Sequence, residues 1–255
     1  MDIRLLGPVQ IRTAHGETVK LNRRKERLAL SVLVLEPSRV VSFDRLVDLL
    51  WGQAPPTAVR TSLQCLMSRI RAALRSAAPD CGHTRLEVRG SGYALRVRPE
   101  AVDLHRFRSL VRQARRIETP RLRSERLSTA LDLWHGPALA DTAVGPVREQ
   151  LCDDLEESRF AAISARIDAD LDAGRHAELV PELYRLAADH PLREPVHGQL
   201  VLALYRCGRR ADALDAYRKV RRTLLAELGL EPGPQLRRLQ DAVIGDAPEL
   251  ELAAR

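Results

Sequence analysis

The sequence predicts a mainly α-helical chain with a small β component. Three observations carry that expectation: an opening where short strand-like runs give way to three helical periods and a hairpin signal, a 34-residue recurrence within a helical second part, and an unequal division of charge. Residues 1–99 hold 17 Lys and Arg against 8 Asp and Glu, whereas the remainder holds 24 against 26, so the net charge of +7 originates in the first part. A small domain with that imbalance attracts polyanions, and nucleic acid is the commonest one in the cytosol. A chain of 255 residues suits two domains of ordinary size, read here as 1–99 and 100–255.

Ile3-Arg4-Leu5-Leu6, Val9-Gln10-Ile11-Arg12 and Thr18-Val19-Lys20-Leu21 read as short strands, separated by Gly-Pro and His-Gly turn signals. Helical spacing begins after Asn22, and Leu28, Leu30, Val32, Leu33 and Leu35 form an apolar first helix that Pro37 is expected to stop. Ser42 is placed to cap a second helix running to about Leu50. Pro55 and Pro56 then break the chain and pre-set the first turn of a third helix, with Thr57 close to its cap. In that helix Val59, Leu63, Leu66, Ile70 and Leu74 make one buried stripe. Its other faces carry the donors Arg60, Thr61, Ser62, Gln64, Ser68, Arg69, Arg71 and Arg75, with no acid between Thr57 and Pro79. A solvated helix normally mixes signs, so an acid-free stretch of this length asks for an anionic partner. After a loop at residues 79–84, the run from Leu86 to Val97 reads as a hairpin reversing at Gly90 and Gly92. Strands, three helices and a hairpin in this order describe a winged helix-turn-helix, whose third helix enters the major groove.

From Val102 onward the pattern is helical, and residues 147–173 read as one long helix. Gly174-Arg175-His176-Ala177-Glu178 recurs as Gly208-Arg209-Arg210-Ala211-Asp212 at an offset of 34, the tetratricopeptide period. An all-α tetratricopeptide-like repeat domain is therefore expected. Leu179, Leu183, Leu186, Leu200, Leu204, Leu214 and Tyr217 should pack between its helix pairs.

Other classes are excluded by what the sequence lacks. No apolar run reaches the roughly 18 residues that span a bilayer, and the first residues lack the order of a signal peptide, so a cytoplasmic protein without membrane contact is expected. Cys65, Cys81, Cys152 and Cys207 are spaced neither as a zinc site nor as a disulfide framework and read as free thiols. His83 near Cys81 is a lone pair on a polar loop, and Trp134 with His135 reads as a packed helix end. There is no phosphate loop, nucleophile elbow, metal-ligand spacing or dinucleotide motif, so neither enzymatic activity nor a cofactor or metal is expected.

The residues from Val40-Val41-Ser42 to Trp51-Gly52, Leu63-Gln64 to Ser68-Arg69-Ile70-Arg71, and Val88-Arg89-Gly90-Ser91-Gly92-Tyr93 fall in the order of an OmpR/PhoB-type winged helix. They are followed by Ala130-Leu131-Asp132-Leu133-Trp134-His135-Gly136, Glu194-Pro195-Val196-His197 and Glu227-Leu228-Gly229-Leu230-Glu231-Pro232-Gly233. Over nearly its whole length the chain resembles the Streptomyces antibiotic regulatory protein family, in which such a winged helix precedes a bacterial transcriptional activation domain. The resemblance implies activation of a secondary-metabolite gene cluster, with binding to direct repeats of double-stranded DNA near promoters. It further implies recruitment of RNA polymerase holoenzyme through its sigma factor and other subunits, and tandem protomers or a homodimer on the DNA. Larger relatives append an ATPase and further repeats, for which this chain is too short.

By motif position the resemblance places Arg69 at a base-reading location, Thr61, Ser62 and Arg71 toward phosphates, and Arg89 on the wing. Trp51 and Tyr93 would support backbone contact, and Cys65, between Gln64 and Ser68, would be the small residue that lets the helix approach the groove. A guanidinium pairs bidentately with guanine, whereas Arg60 and Arg75 near the helix ends meet phosphates more naturally. The competing readings are a repressor, and a regulator whose helical domain only dimerises or binds an effector.

Overall fold

In the computed structural model, which describes residues 1–36, 39–79 and 84–250, the alternating runs at the start form an antiparallel meander. It consists of β1 (Asp2–Arg4), β2 (Gln10–Arg12) and β3 (Thr18–Val19), with Ile3 opposite Ile11 and Ile11 opposite Val19. Ile3 and Ile11 face inward and are fully buried.

Helix α1 (Arg24–Leu35) follows, and Leu28, Leu30, Val32 and Leu33 lie in the core. The stop expected at Pro37 lies outside the described residues, as do Cys81 and His83. The Ser42 hydroxyl accepts the Arg45 amide at 3.2 Å and caps α2 (Phe43–Trp51), as its position in the sequence required. Helix α3 (Val59–Ala77) starts later than the proline pair suggests. Its N-cap is Ala58, which has no side-chain acceptor to offer, and Thr57 sits in the preceding turn. The hairpin is β5 (Arg85–Arg89) and β6 (Gly92–Arg96), joined through Gly90 and Ser91. One strand was not expected: β4 (Val41–Ser42) pairs with β6, so the hairpin is one side of a three-stranded sheet ordered β4-β6-β5.

Beyond β6 the described residues form the helices α4 (Asp103–Ala114), α5 (Pro120–Leu131), α6 (Pro146–Asp172), α7 (His176–Asp189), α8 (Glu194–Arg206), α9 (Arg210–Leu228) and α10 (Pro234–Gly245). The repeat is real in three dimensions. Gly174 and Gly208 both adopt positive φ (81° and 74°), each just after one helix ends and before the next begins, so the pairs α7–α8 and α9–α10 start 34 residues apart. Leu179, Leu183, Leu200, Leu204 and Tyr217 are buried between these helices, with Leu186 and Leu214 half-buried.

Packing divides the chain into two compact units, Met1–Arg112 with Thr129–Phe160, and Gln113–Ser128 with Ala161–Arg255. In the first unit the segment after β1 is stitched to residues 135–141. Leu6 and Leu5 carbonyls accept His135 and Leu139 amides at 2.7 and 3.0 Å, and the Asp141 carboxylate accepts the Val9 amide at 2.8 Å. Trp134 is buried there, edge-on to Phe107 at 5.5 Å and under the Arg159 guanidinium at 4.9 Å, a packed position at the end of the helical run.

Asp103 is the buried polar anchor of this unit. Its carboxylate accepts the amides of Leu5 and Leu6, both at 2.9 Å, and of Leu104 at 2.7 Å. Burial pushes its carboxyl above the ordinary range against the pull of those amides. Asp103→Ala strands at least two buried donors and is expected to lower stability by about 2 kcal/mol, measured as a drop in urea midpoint at unchanged slope.

Candidate nucleic-acid interface

Helix α3 is held by one face. Leu63, Leu66, Met67, Ile70, Ala73, Leu74 and Ala77 are buried, and the helix packs on α1, β2, β3 and β5. At about 3.6 residues per turn, that stripe aims Thr61, Gln64, Cys65, Ser68 and Ala72 directly away from the core, and all five are exposed. Cys65 is a free thiol in the middle of this face. Arg60 and Arg75 are exposed toward its two ends. With no acid in the first turn and no side-chain cap, the N-terminal amides of α3 add partial positive charge at the Arg60 end.

The remaining sequence-predicted residues are disposed around this helix in distinct ways. Thr57 is exposed in the turn ahead of α3, and Ser62 is half-buried. Trp51 is half-buried at the end of α2, and the Lys25 ammonium lies 4.8 Å from its ring. Burial, and then the charge of Arg24, push the Lys25 ammonium below its ordinary value. Arg60 lies 5.2 Å from the Phe43 ring, which fixes where its charge is presented. Tyr93 is buried in β6, so its contribution is as a platform.

The two arginines expected to differ in role sit on opposite flanks of α3. Arg71 turns toward the hairpin, where its Nε donates to the Leu86 carbonyl at 3.0 Å and its guanidinium lies 5.9 Å from the Tyr93 ring. Arg69 turns toward α1, where its Nη1 donates to the Glu26 carboxylate at 3.0 Å. Arg89 on the hairpin pairs with Glu87 two residues earlier, at 2.8 Å. The outward face thus brings together Arg60, Thr61, Gln64, Cys65 and Ser68, while Arg69, Arg71 and Arg89 each hold a partner within the protein.

Glu26 is the residue that sequence reasoning missed. It is 4% exposed and also accepts the Arg23 amide at 3.3 Å, half of a capping box. The signal that could have found it was its position, a single acid within the basic run Arg23-Arg24-Lys25-Glu26-Arg27. Among the described residues no cluster of His, Cys, Asp and Glu is arranged to hold a metal ion, and no helix is long and apolar enough to cross a membrane.

Known proteins share this outline. Residues 16–95 match the family described as transcriptional regulatory protein, C terminal, and residues 102–244 match the bacterial transcriptional activator domain. The chain is 38% identical to the regulatory protein DnrI of Streptomyces peucetius, over 98% of this chain and 94% of that protein. It is 37% identical to the transcriptional regulator RedD of Streptomyces coelicolor, over 99% of this chain and 73% of that one. A solved structure of Mycobacterium tuberculosis EmbR, in complex with a low affinity phosphopeptide, superimposes with a TM-score of 0.90 at 35% identity. That match covers 97% of this chain but 65% of the EmbR chain.

Proposed function

We propose that this chain, which belongs to the Streptomyces antibiotic regulatory protein family of transcriptional regulators, is a sequence-specific DNA-binding activator of a secondary-metabolite gene cluster. Residues 1–99 form its DNA-binding module and residues 100–255 its activation module. The observation that carries this reading is the outward face of α3, a 19-residue helix with no acidic residue and exposed donors along one side. Its targets are direct repeats near promoters, occupied by tandem protomers. The helical module then recruits RNA polymerase holoenzyme through the sigma factor and other subunits, in the cytoplasm at the nucleoid.

Footprinting on the promoters nearest its own gene, with and without polymerase, tests this, followed by transcription from the protected promoter with purified components. The expected results are protection of repeated sites and a rise in initiation. A fall in initiation would establish a repressor, and absence of protection would refute the DNA-binding role.

A ligand-sensing helical module is the second reading. It is supported by a groove of about 550 Å³ in the second unit, beside Ser164, Asp168, Gly198, Gln199 and Leu239. The Gln199 Nε2 donates to Ser164 Oγ and Asp168 Oδ1 at 2.9 and 2.7 Å, and among the described residues its buried Oε1 has no partner. A buried acceptor left unpaired is uncommon enough to draw a donor.

A further inference from the structure

Arg69 and Glu26 form an unequal pair. The arginine side chain is 47% exposed on the flank of α3, whereas the glutamate side chain is 6% exposed beneath it. The carboxylate is held twice, by Arg69 Nη1 at 3.0 Å and by the Arg23 amide at 3.3 Å at the start of its own helix. It cannot follow the guanidinium outward without giving up that amide, and a guanidinium that leaves strands a buried charge. Arg69 is therefore tied at one edge. Among the described residues its remaining N–H groups have no other partner.

A free arginine beside a duplex swings to whichever phosphate is nearest and contributes to binding at every sequence. A tethered one, with its charge offset by a carboxylate, contributes little to counterion release. Its donors are already oriented, so it loses little freedom when a base edge presents acceptors at the right place. We propose that Glu26 is a specificity-determining residue: it holds Arg69 off the phosphate backbone, reserving that guanidinium for a base edge. This rests on the DNA-binding reading above, and Glu26 acts through Arg69 as a positioning residue. The pair is a device against the wrong partner as much as for the right one.

The test uses the full chain in four forms: the unaltered protein, Arg69→Ala, Glu26→Gln, and both substitutions together. Each is titrated with a fluorescent duplex of arbitrary sequence across salt concentrations, and each is used to select from a duplex pool with a randomised centre. On the arbitrary duplex Arg69→Ala should leave the slope of log affinity against log salt unchanged. Glu26→Gln should steepen it by about 0.9, or roughly 3.5-fold more loss between 50 and 200 mM, and the double variant should restore the original slope. In the selected sequences Glu26→Gln and Arg69→Ala should blur the same position.

A structural role alone lowers the melting temperature and moves neither slope nor selected sequence, and that result overturns the proposal. A flatter slope for Arg69→Ala, or for the double variant in which no charge is left stranded, also overturns it, and the double variant decides the matter even if either single substitution does not fold. Failure of the unaltered protein to bind any duplex at low salt overturns the DNA-binding reading itself, a different outcome from either.

Discussion

Duplex affinity is expected to fall on the order of a thousandfold between 50 and 200 mM salt, the size of effect that about six neutralised phosphates produce. Among the described residues there is enough exposed charge outside ion pairs for that number. Arg60 and Arg75 are exposed on α3, Arg23 and Arg24 are exposed before and at the start of α1, and Arg85 and Arg98 are exposed at either end of the hairpin. Arg71 and Arg89 already bond within the protein, to the Leu86 carbonyl and the Glu87 carboxylate, so they count for less than their position in the sequence suggested. Removing one of these exposed cations gives a finer check. Arg75→Ala should weaken binding at all sequences alike and flatten the salt slope by about 0.9, whereas Arg89→Ala should change the slope by less. Filter binding or anisotropy across the salt range measures both. A slope near −1 would mean that one or two phosphates are met and that the acid-free face of α3 does not lie along the backbone.

Much of this architecture was legible because the signals are local. The capping hydroxyl of Ser42, the stripe through Leu63, Leu66, Ile70 and Leu74, and the paired glycines Gly174 and Gly208 each act within a few residues of chain, where period and turn chemistry operate. What stayed hidden depends on distant partners. Strand β4 is two residues long, and Ser42 within it already reads as a helix cap; only its pairing with Gly92, far along the chain, makes it a strand. The same holds for the interface. The phase of α3 assigns Thr61, Gln64 and Ser68 to its outward face from sequence alone. That Arg69 meets a buried acid is a consequence of how α1 packs on α3, and no spacing within α3 encodes it.

Gly92→Val is expected to cost the first unit about 4 kcal/mol, the upper range for a single substitution. Residue-level preference argues the other way, since a β-branched residue within a strand normally gains up to about 1 kcal/mol over glycine, so the sign of the result is diagnostic. The cause is contact. A Cβ at Gly92 would overlap the Val41 carbonyl oxygen and lie 2.9 Å from the Val40 side chain, and the nearer atom is backbone in the strand paired with β6. Relief requires β4 to move off the sheet. Ser42 is both the end of β4 and the cap of α2, and Phe43 donates its amide to the Ser91 carbonyl at 2.9 Å, so that movement also disturbs the start of α2. Gly90 is the control. It has a φ of 52°, and among the described residues beyond its chain neighbours no atom lies within 4 Å of the place a Cβ would take, so Gly90→Ala carries only the strain of a left-handed residue, about 1 kcal/mol. Urea unfolding of the two variants separates these costs. Duplex binding at low salt should fall with Gly92→Val and stay near the original with Gly90→Ala, because only the former shifts the sheet that carries the hairpin against α3. Equal stability of the two would mean that β4 yields at no cost, and that the glycine is there for its backbone freedom alone.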